Sequence, residues 1–145
     1  MPFKKHPVLQ EFDRLSNSIF EFYHEIAMRQ GLSDSAYAIL QSILALGNGC
    51  TQTEIYKYTL LNKQTVNSSV KKLRQEGMVE FQPGKGREIK LYLTSQGKSL
   101  VDEKILPIEQ AENEVFEEMT NEEQREILRL LGKYLDSFRK KVERI

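Results

Sequence analysis

A chain of 145 residues, 39% hydrophobic and 29% charged, has the make-up of one compact domain with helical extensions and excludes a disordered chain. Its 21 basic and 21 acidic side chains cancel, which argues against a general polyanion binder. The single cysteine, Cys50, excludes an intrachain disulfide framework and suits a reducing cytosol.

The N-terminus lacks a secretory pattern. The most apolar run, Ala36 to Leu46, is broken by Gln41 and Ser42 and is too short to span a bilayer. A soluble, cytoplasmic protein is expected.

The first helix is expected from Pro7, a residue suited to an early helical position, to about Arg29. Val8, Phe12, Leu15, Ile19, Phe22 and Ile26 recur at alternating spacings of four and three, and Leu9, Phe20 and Tyr23 widen the seam. A seam so long and aromatic needs a partner surface. Gly31 ends this helix, and Ser33 or Asp34 caps the next, which carries Tyr37, Leu40, Ile43 and Leu44 into the core. Gly47-Asn48-Gly49 is a turn. Cys50 follows it and reads as a small buried residue, although a helix N-terminus can lower a thiol's pKa.

Thr51-Gln52-Thr53-Glu54 is a capping box: Thr51 covers backbone donors and Glu54 reaches back. The helix it opens is short, ending near Tyr58 or Thr59, and Leu60-Leu61-Asn62 connects it to the next, which Gly77 stops. Two short helices across a brief turn are a helix-turn-helix candidate with the second as the reader. In that second helix Val66, Val70 and Leu73 share one face. The other side holds Lys63, Gln64, Asn67, Ser68 and Lys71, with Lys72 at its flank, and no acid interrupts it before Glu76. Cationic and amide groups of this kind reach phosphate oxygens and base edges in a major groove.

Met78 to Gln82 has strand character, Pro83-Gly84-Lys85-Gly86 turns, and Arg87 to Leu93 alternates, with Ile89, Leu91 and Leu93 opposite Glu88, Lys90 and Tyr92. This is a hairpin with a basic tip. Thr94 caps a helix with apolar positions Val101, Ile105, Ile108, Val115 and Met119, which Pro107 is expected to bend. Thr120-Asn121-Glu122-Glu123 is a second capping box, opening a last helix to about Val142. Its seam is Ile127, Leu131, Tyr134 and Phe138, broadened by Leu128, Leu135 and Val142.

Charge is unevenly placed along this order. From Lys63 to Lys90 seven bases (Lys63, Lys71, Lys72, Arg74, Lys85, Arg87, Lys90) face three acids (Glu76, Glu80, Glu88). From Val101 to Glu126 ten acids stand against Lys104 and Arg125 alone. A basic centre beside an acidic helix suits one face to phosphates.

This order of elements resembles the MarR family of winged helix-turn-helix transcription regulators over essentially the whole chain. The residues carrying the likeness are Thr51-Gln52-Thr53-Glu54-Ile55, Lys63-Gln64-Thr65-Val66-Asn67 with Lys71-Lys72-Leu73, Glu76-Gly77, and Leu91-Tyr92-Leu93-Thr94-Ser95-Gln96-Gly97. The resemblance implies a mainly α fold with a small β-wing. Residues 33–97 would form the winged helix-turn-helix lobe, and 1–30 and 98–145 the N- and C-terminal dimerisation helices of a single 1–145 domain. It implies a homodimer that presents two recognition helices to a palindromic operator on double-stranded DNA, acting as a repressor released by a small-molecule effector.

Lys63, Gln64, Thr65, Asn67, Ser68 and Lys71 would then serve the major groove, Lys72, Lys85 and Lys90 the phosphates, and Arg87 the minor groove. The family usually carries Asp-x-Arg at the wing. Arg87 matches its arginine, but Lys85 stands where the aspartate belongs, which puts the wing's rigidity in question. Phe20, Tyr23, His24 and Tyr37 are the candidates for an effector cleft, with core packing as the alternative for each. The family's peroxide-sensing branch keeps its reactive cysteine near the start of the first helix, unlike Cys50.

Other chemistries find little footing. His6 and His24 are the only histidines, so no metal ligand set and no cofactor site is expected. Neither a Gly-rich phosphate loop nor a nucleophile elbow is present, so no enzyme is expected. A winged-helix module for RNA or protein assembly, without DNA sequence specificity, is the alternative function.

Overall fold

The computed structural model describes all 145 residues, which fall into two compact units, Met1–Leu106 and Pro107–Ile145. No helix is long and apolar enough to cross a membrane.

The first unit begins with α1 (Pro7–Arg29) and α2 (Asp34–Leu46), joined at Gly31, whose φ of +71° suits a residue without Cβ. The Ser33 hydroxyl caps α2 by accepting from the Ala36 N–H at 3.1 Å. Then come β1 (Cys50–Thr51), α3 (Gln52–Thr59), α4 (Lys63–Gln75), β2 (Val79–Pro83), β3 (Ile89–Leu93) and α5 (Ser95–Leu100). The expected capping box closes α3: the Glu54 N–H donates to Thr51 Oγ1 at 3.1 Å and the Thr51 N–H to Glu54 Oε2 at 2.9 Å. Leu60 ends α3 in the left-handed region at φ +58°.

The core of this unit sits where α2, α3 and α4 meet the sheet. Ile39, Leu40 and Ile43 of α2, Ile55 of α3, and Val66, Val70 and Leu73 of α4 are fully buried, with Val79 and Leu91 from the strands. Burying each such side chain stabilises the unit by about 1.5–3 kcal/mol. Leu44 is only half-buried.

The sheet has three antiparallel strands in the order β1-β3-β2, not the two expected from sequence. Cys50 pairs with Leu91 and Thr51 with Lys90 on one side of β3, while Val79 pairs with Leu93 and Pro83 with Ile89 on the other. A two-residue strand carries no readable alternation, so Cys50 and Thr51 read as a turn and a cap alone. Thr51 is both the outer residue of β1 and the N-cap of α3.

After α5 the helix widens into one π-helical turn, Val101–Ile105, in which the Leu106 N–H donates to the Val101 carbonyl five residues back. It precedes Pro107, whose ring would press on the carbonyl four residues earlier in a regular α-helix. The proline's effect was expected as a bend; a wide turn stands directly before it.

The second unit holds α6 (Leu106–Glu118) from Pro107 onward and α7 (Asn121–Val142). Thr120 and Glu123 form the expected second capping box, and Gln124 Nε2 donates to the Phe116 carbonyl at 2.6 Å across the turn. Neither helix has a fully buried side chain. Leu128, Leu131, Leu135, Phe138 and Val142 all stand exposed on α7, and the Tyr134 and Phe138 rings stack 5.9 Å apart. Likewise in α1 only Ile26 and Ala27 are buried, leaving Val8, Leu15, Ile19 and Phe22 exposed.

Candidate nucleic-acid interface

Helix α4 is shaped by its two faces. Asn62 caps it, Oδ1 accepting from the Thr65 N–H at 2.8 Å. Val66, Val70 and Leu73 hold one face in the core, so the positions between them must face outward. Lys63, Gln64, Asn67, Ser68, Lys71 and Lys72 are all exposed, and Thr65 is half-buried. No acidic side chain shares this surface within the helix.

A groove of about 450 Å³ runs between α3 and α4, lined by Gln52, Thr53, Tyr56, Lys63, Gln64, Val66 and Asn67. Two contacts bridge it. The Lys63 ammonium sits 5.0 Å from the centre of the Tyr56 ring, and Gln52 Nε2 donates to Asn67 Oδ1 at 3.2 Å. Sequence reasoning missed Gln52, Thr53 and Tyr56, because α3 read only as the first half of a helix-turn-helix. The signal available was polar Gln52 placed four residues before Tyr56 on one helix face.

The second basic element is the loop between β2 and β3. There the Gly84 N–H donates to the Glu88 carbonyl at 2.9 Å and the Glu88 N–H to the Lys85 carbonyl at 3.1 Å, with Gly86 at φ +61°. Backbone bonds thus close the tip where an aspartate is absent. Lys85 and Arg87 are exposed there, whereas Lys90, in the middle strand, is half-buried along its stem. Arg74 is engaged elsewhere: its guanidinium lies 4.6 Å from the centre of the Phe81 ring.

A second cavity of about 410 Å³ lies within the first unit. Phe20, Tyr23, His24 and Tyr37 all line it, together with Asp34 and Gln41. His24 Nδ1 lies 2.8 Å from Asp34 Oδ1 and 3.0 Å from Oδ2, so the imidazole is held by the start of α2. The four aromatic and polar residues singled out from sequence therefore share one space, although Phe20 is 73% exposed.

Cys50 is buried, and burial together with the nearby Glu54 carboxylate pushes its thiol up to about 11. The start of α3 does not activate it. No group of three or more His, Cys, Asp or Glu side chains is placed to hold a metal ion.

Comparison with known proteins fits this geometry. A family model described as MarR family matches residues 30–88. No curated protein matches the sequence. Among solved structures, a MarR family regulator from Neisseria meningitidis is 23% identical, with a TM-score of 0.78, over 95% of this chain and 98% of its own. S. aureus MepR, solved in complex with DNA, is 18% identical with a TM-score of 0.70, over 92% of this chain and 99% of its own. Bordetella bronchiseptica BpsR, whose DNA binding is regulated by 6-hydroxynicotinic acid, is 20% identical with a TM-score of 0.63, over 86% of this chain and 98% of its own. Residues 30–88 thus match a MarR family model, in a chain whose fold is that of solved MarR family regulators.

Proposed function

We propose that this protein is a sequence-specific DNA-binding transcription regulator, not an enzyme, that works as a homodimer. The observation that carries the reading is the exposed face of α4, where amides and bases stand without an acid on a helix anchored by three buried apolar residues. Such a face meets phosphates with its lysines and base edges with Gln64 and Asn67. Arg87 at the wing tip suits a narrow minor groove, and Lys72 and Lys85 suit phosphates.

Dimerisation is supported by the uncovered apolar seams of α1 and of α7, each too long to leave in water. A two-fold dimer reads a palindrome when its two α4 helices stand about one DNA turn apart, roughly 34 Å. Repression then follows from occupancy of the operator. A small-molecule effector seated among Phe20, Tyr23, His24 and Tyr37 would release the DNA if it binds a dimer of another spacing more tightly. The DNA complex of MepR and the ligand regulation of BpsR support both halves of this reading by analogy.

Selection from random duplexes by the purified protein, with sedimentation in parallel, tests the proposal. A dimer and a two-fold symmetric consensus are expected. Weak binding to any duplex without a consensus favours the RNA or protein-assembly module, and a lone chain at micromolar concentration removes the dimer.

A further inference from the structure

We propose that Gln52, on α3 and outside the reading helix, decides which base Asn67 selects. It does so by engaging the carbonyl end of the Asn67 amide and leaving the N–H donors for DNA. The inference rests on α4 being the DNA reader.

An asparagine side chain offers one carbonyl oxygen with two lone pairs and an NH₂ group with two N–H donors. Used together, its two ends recognise adenine, the oxygen accepting from N6 and the nitrogen donating to N7. Here the oxygen already has a partner, since Gln52 Nε2 donates to Asn67 Oδ1 at 3.2 Å. Gln52 is half-buried and is the first residue of α3, directly behind the Thr51 cap, so its backbone is fixed. Asn67 is exposed, and both residues line the open groove between α3 and α4.

The amide of Asn67 is therefore turned with its oxygen toward α3, and its free end is the NH₂ group. These free donors match acceptor edges, N7 and O6 of guanine or O4 of thymine. The two-point adenine contact needs that oxygen to turn from α3 to the base edge or to accept a second bond on its other lone pair, and the bond from Gln52 opposes the turn. The two side chains act as one specificity unit built across two helices.

The test is duplex selection by four proteins: the unmutated chain, Asn67→Ala, Gln52→Ala and Gln52→Glu. Asn67→Ala locates the base pair that Asn67 reads, as the one whose preference disappears. At that pair the unmutated protein is expected to select guanine or thymine, and an adenine there to weaken its binding about tenfold. Gln52→Ala releases the amide and moves the preference to adenine by about tenfold, leaving other positions unchanged. Gln52→Glu, which can only accept, turns the amide over, presents Oδ1 and favours adenine or cytosine, with lower affinity for every sequence from the added carboxylate.

Adenine at that pair in the unmutated protein's consensus overturns the inference. So does an unchanged preference in both Gln52 variants whose thermal unfolding matches that of the unmutated chain. If the unmutated chain itself selects no consensus, the failure lies in the reading of α4, and this inference falls with it.

Discussion

The guanidinium of Arg74 lies over the ring of Phe81, 4.6 Å from its centre, and fastens the last turn of α4 to the first strand of the wing. Counted as a charge, Arg74 belongs to the basic centre; placed in the fold, it is a strut. A cation over an exposed or half-exposed ring is worth about 0.5–1 kcal/mol. Phe81→Leu should therefore lower stability by about that amount in urea unfolding. Arg74→Ala should add little on top of it, because the second change removes a contact already lost.

Lys72 provides the contrast. It is exposed on the flank of α4 and forms no ion pair within the chain. A lysine that neutralises one phosphate releases about one counterion, so Lys72→Ala should flatten the slope of log affinity against log salt by about 1. Arg74→Ala should leave that slope nearly unchanged. Equal effects of the two substitutions would reverse the roles assigned here.

Gly97 is required by its neighbour. A Cβ there would stand 1.9 Å from the Met78 carbonyl oxygen, which already accepts from the Thr94 N–H at 3.1 Å. The Thr94 hydroxyl ties the same place by donating to the Gly77 carbonyl at 2.5 Å. Neither backbone can yield without separating α5 from the start of β2. Gly97→Ala should destabilise the protein by about 3 kcal/mol, read as a shift in denaturant midpoint.

Leu60 is held at φ +58° while 87% exposed, so it bears backbone strain with almost no compensating contact. The left-handed conformation costs a non-glycine residue about 1–2 kcal/mol, offset in part by the greater freedom of glycine in the unfolded chain. Leu60→Gly should accordingly stabilise the protein by about 0.5–1 kcal/mol.

Cys50 gives a pH dependence of known sign. Its thiol holds its proton up to about 11 in the folded chain, against an ordinary 9.0 once unfolded. The group favours the folded state fully below about 9, and that contribution is lost as pH climbs toward 11. The urea midpoint should fall across this window more in the natural chain than in Cys50→Ala. Alkylation at pH 8 should be slow until denaturant is added.

Much of this fold is written in local signals. Thr51, Thr94 and Thr120 each cap a helix as read from sequence, because a cap needs only its own next three residues, while Asn62, read as part of the connection, also caps α4. The exposed face of α4 was equally legible, since helical period sorts it without knowledge of any neighbour. What escaped depends on pairs distant in the chain. The bond between Gln52 and Asn67 spans 15 residues, and β1 exists only because Leu91 and Lys90 lie beside it. The backbone bonds at the wing tip, Gly84 N–H to the Glu88 carbonyl and Glu88 N–H to the Lys85 carbonyl, escaped likewise, because every residue has these groups and no sequence displays their pairing.

One residue belongs to two structures at once. Thr51 pairs with Lys90 in the sheet and caps α3 with its hydroxyl, so the wing and the first helix of the helix-turn-helix share a rivet. Swinging the hairpin away would unpick the opening turn of that helix, and Arg74 clamps the opposite margin to α4. Prongs and reader therefore move as a single casting. On the proposed function, a signal that frees the protein from DNA carries this whole lobe as a block, because folding the wing back by itself would mean melting a helix first.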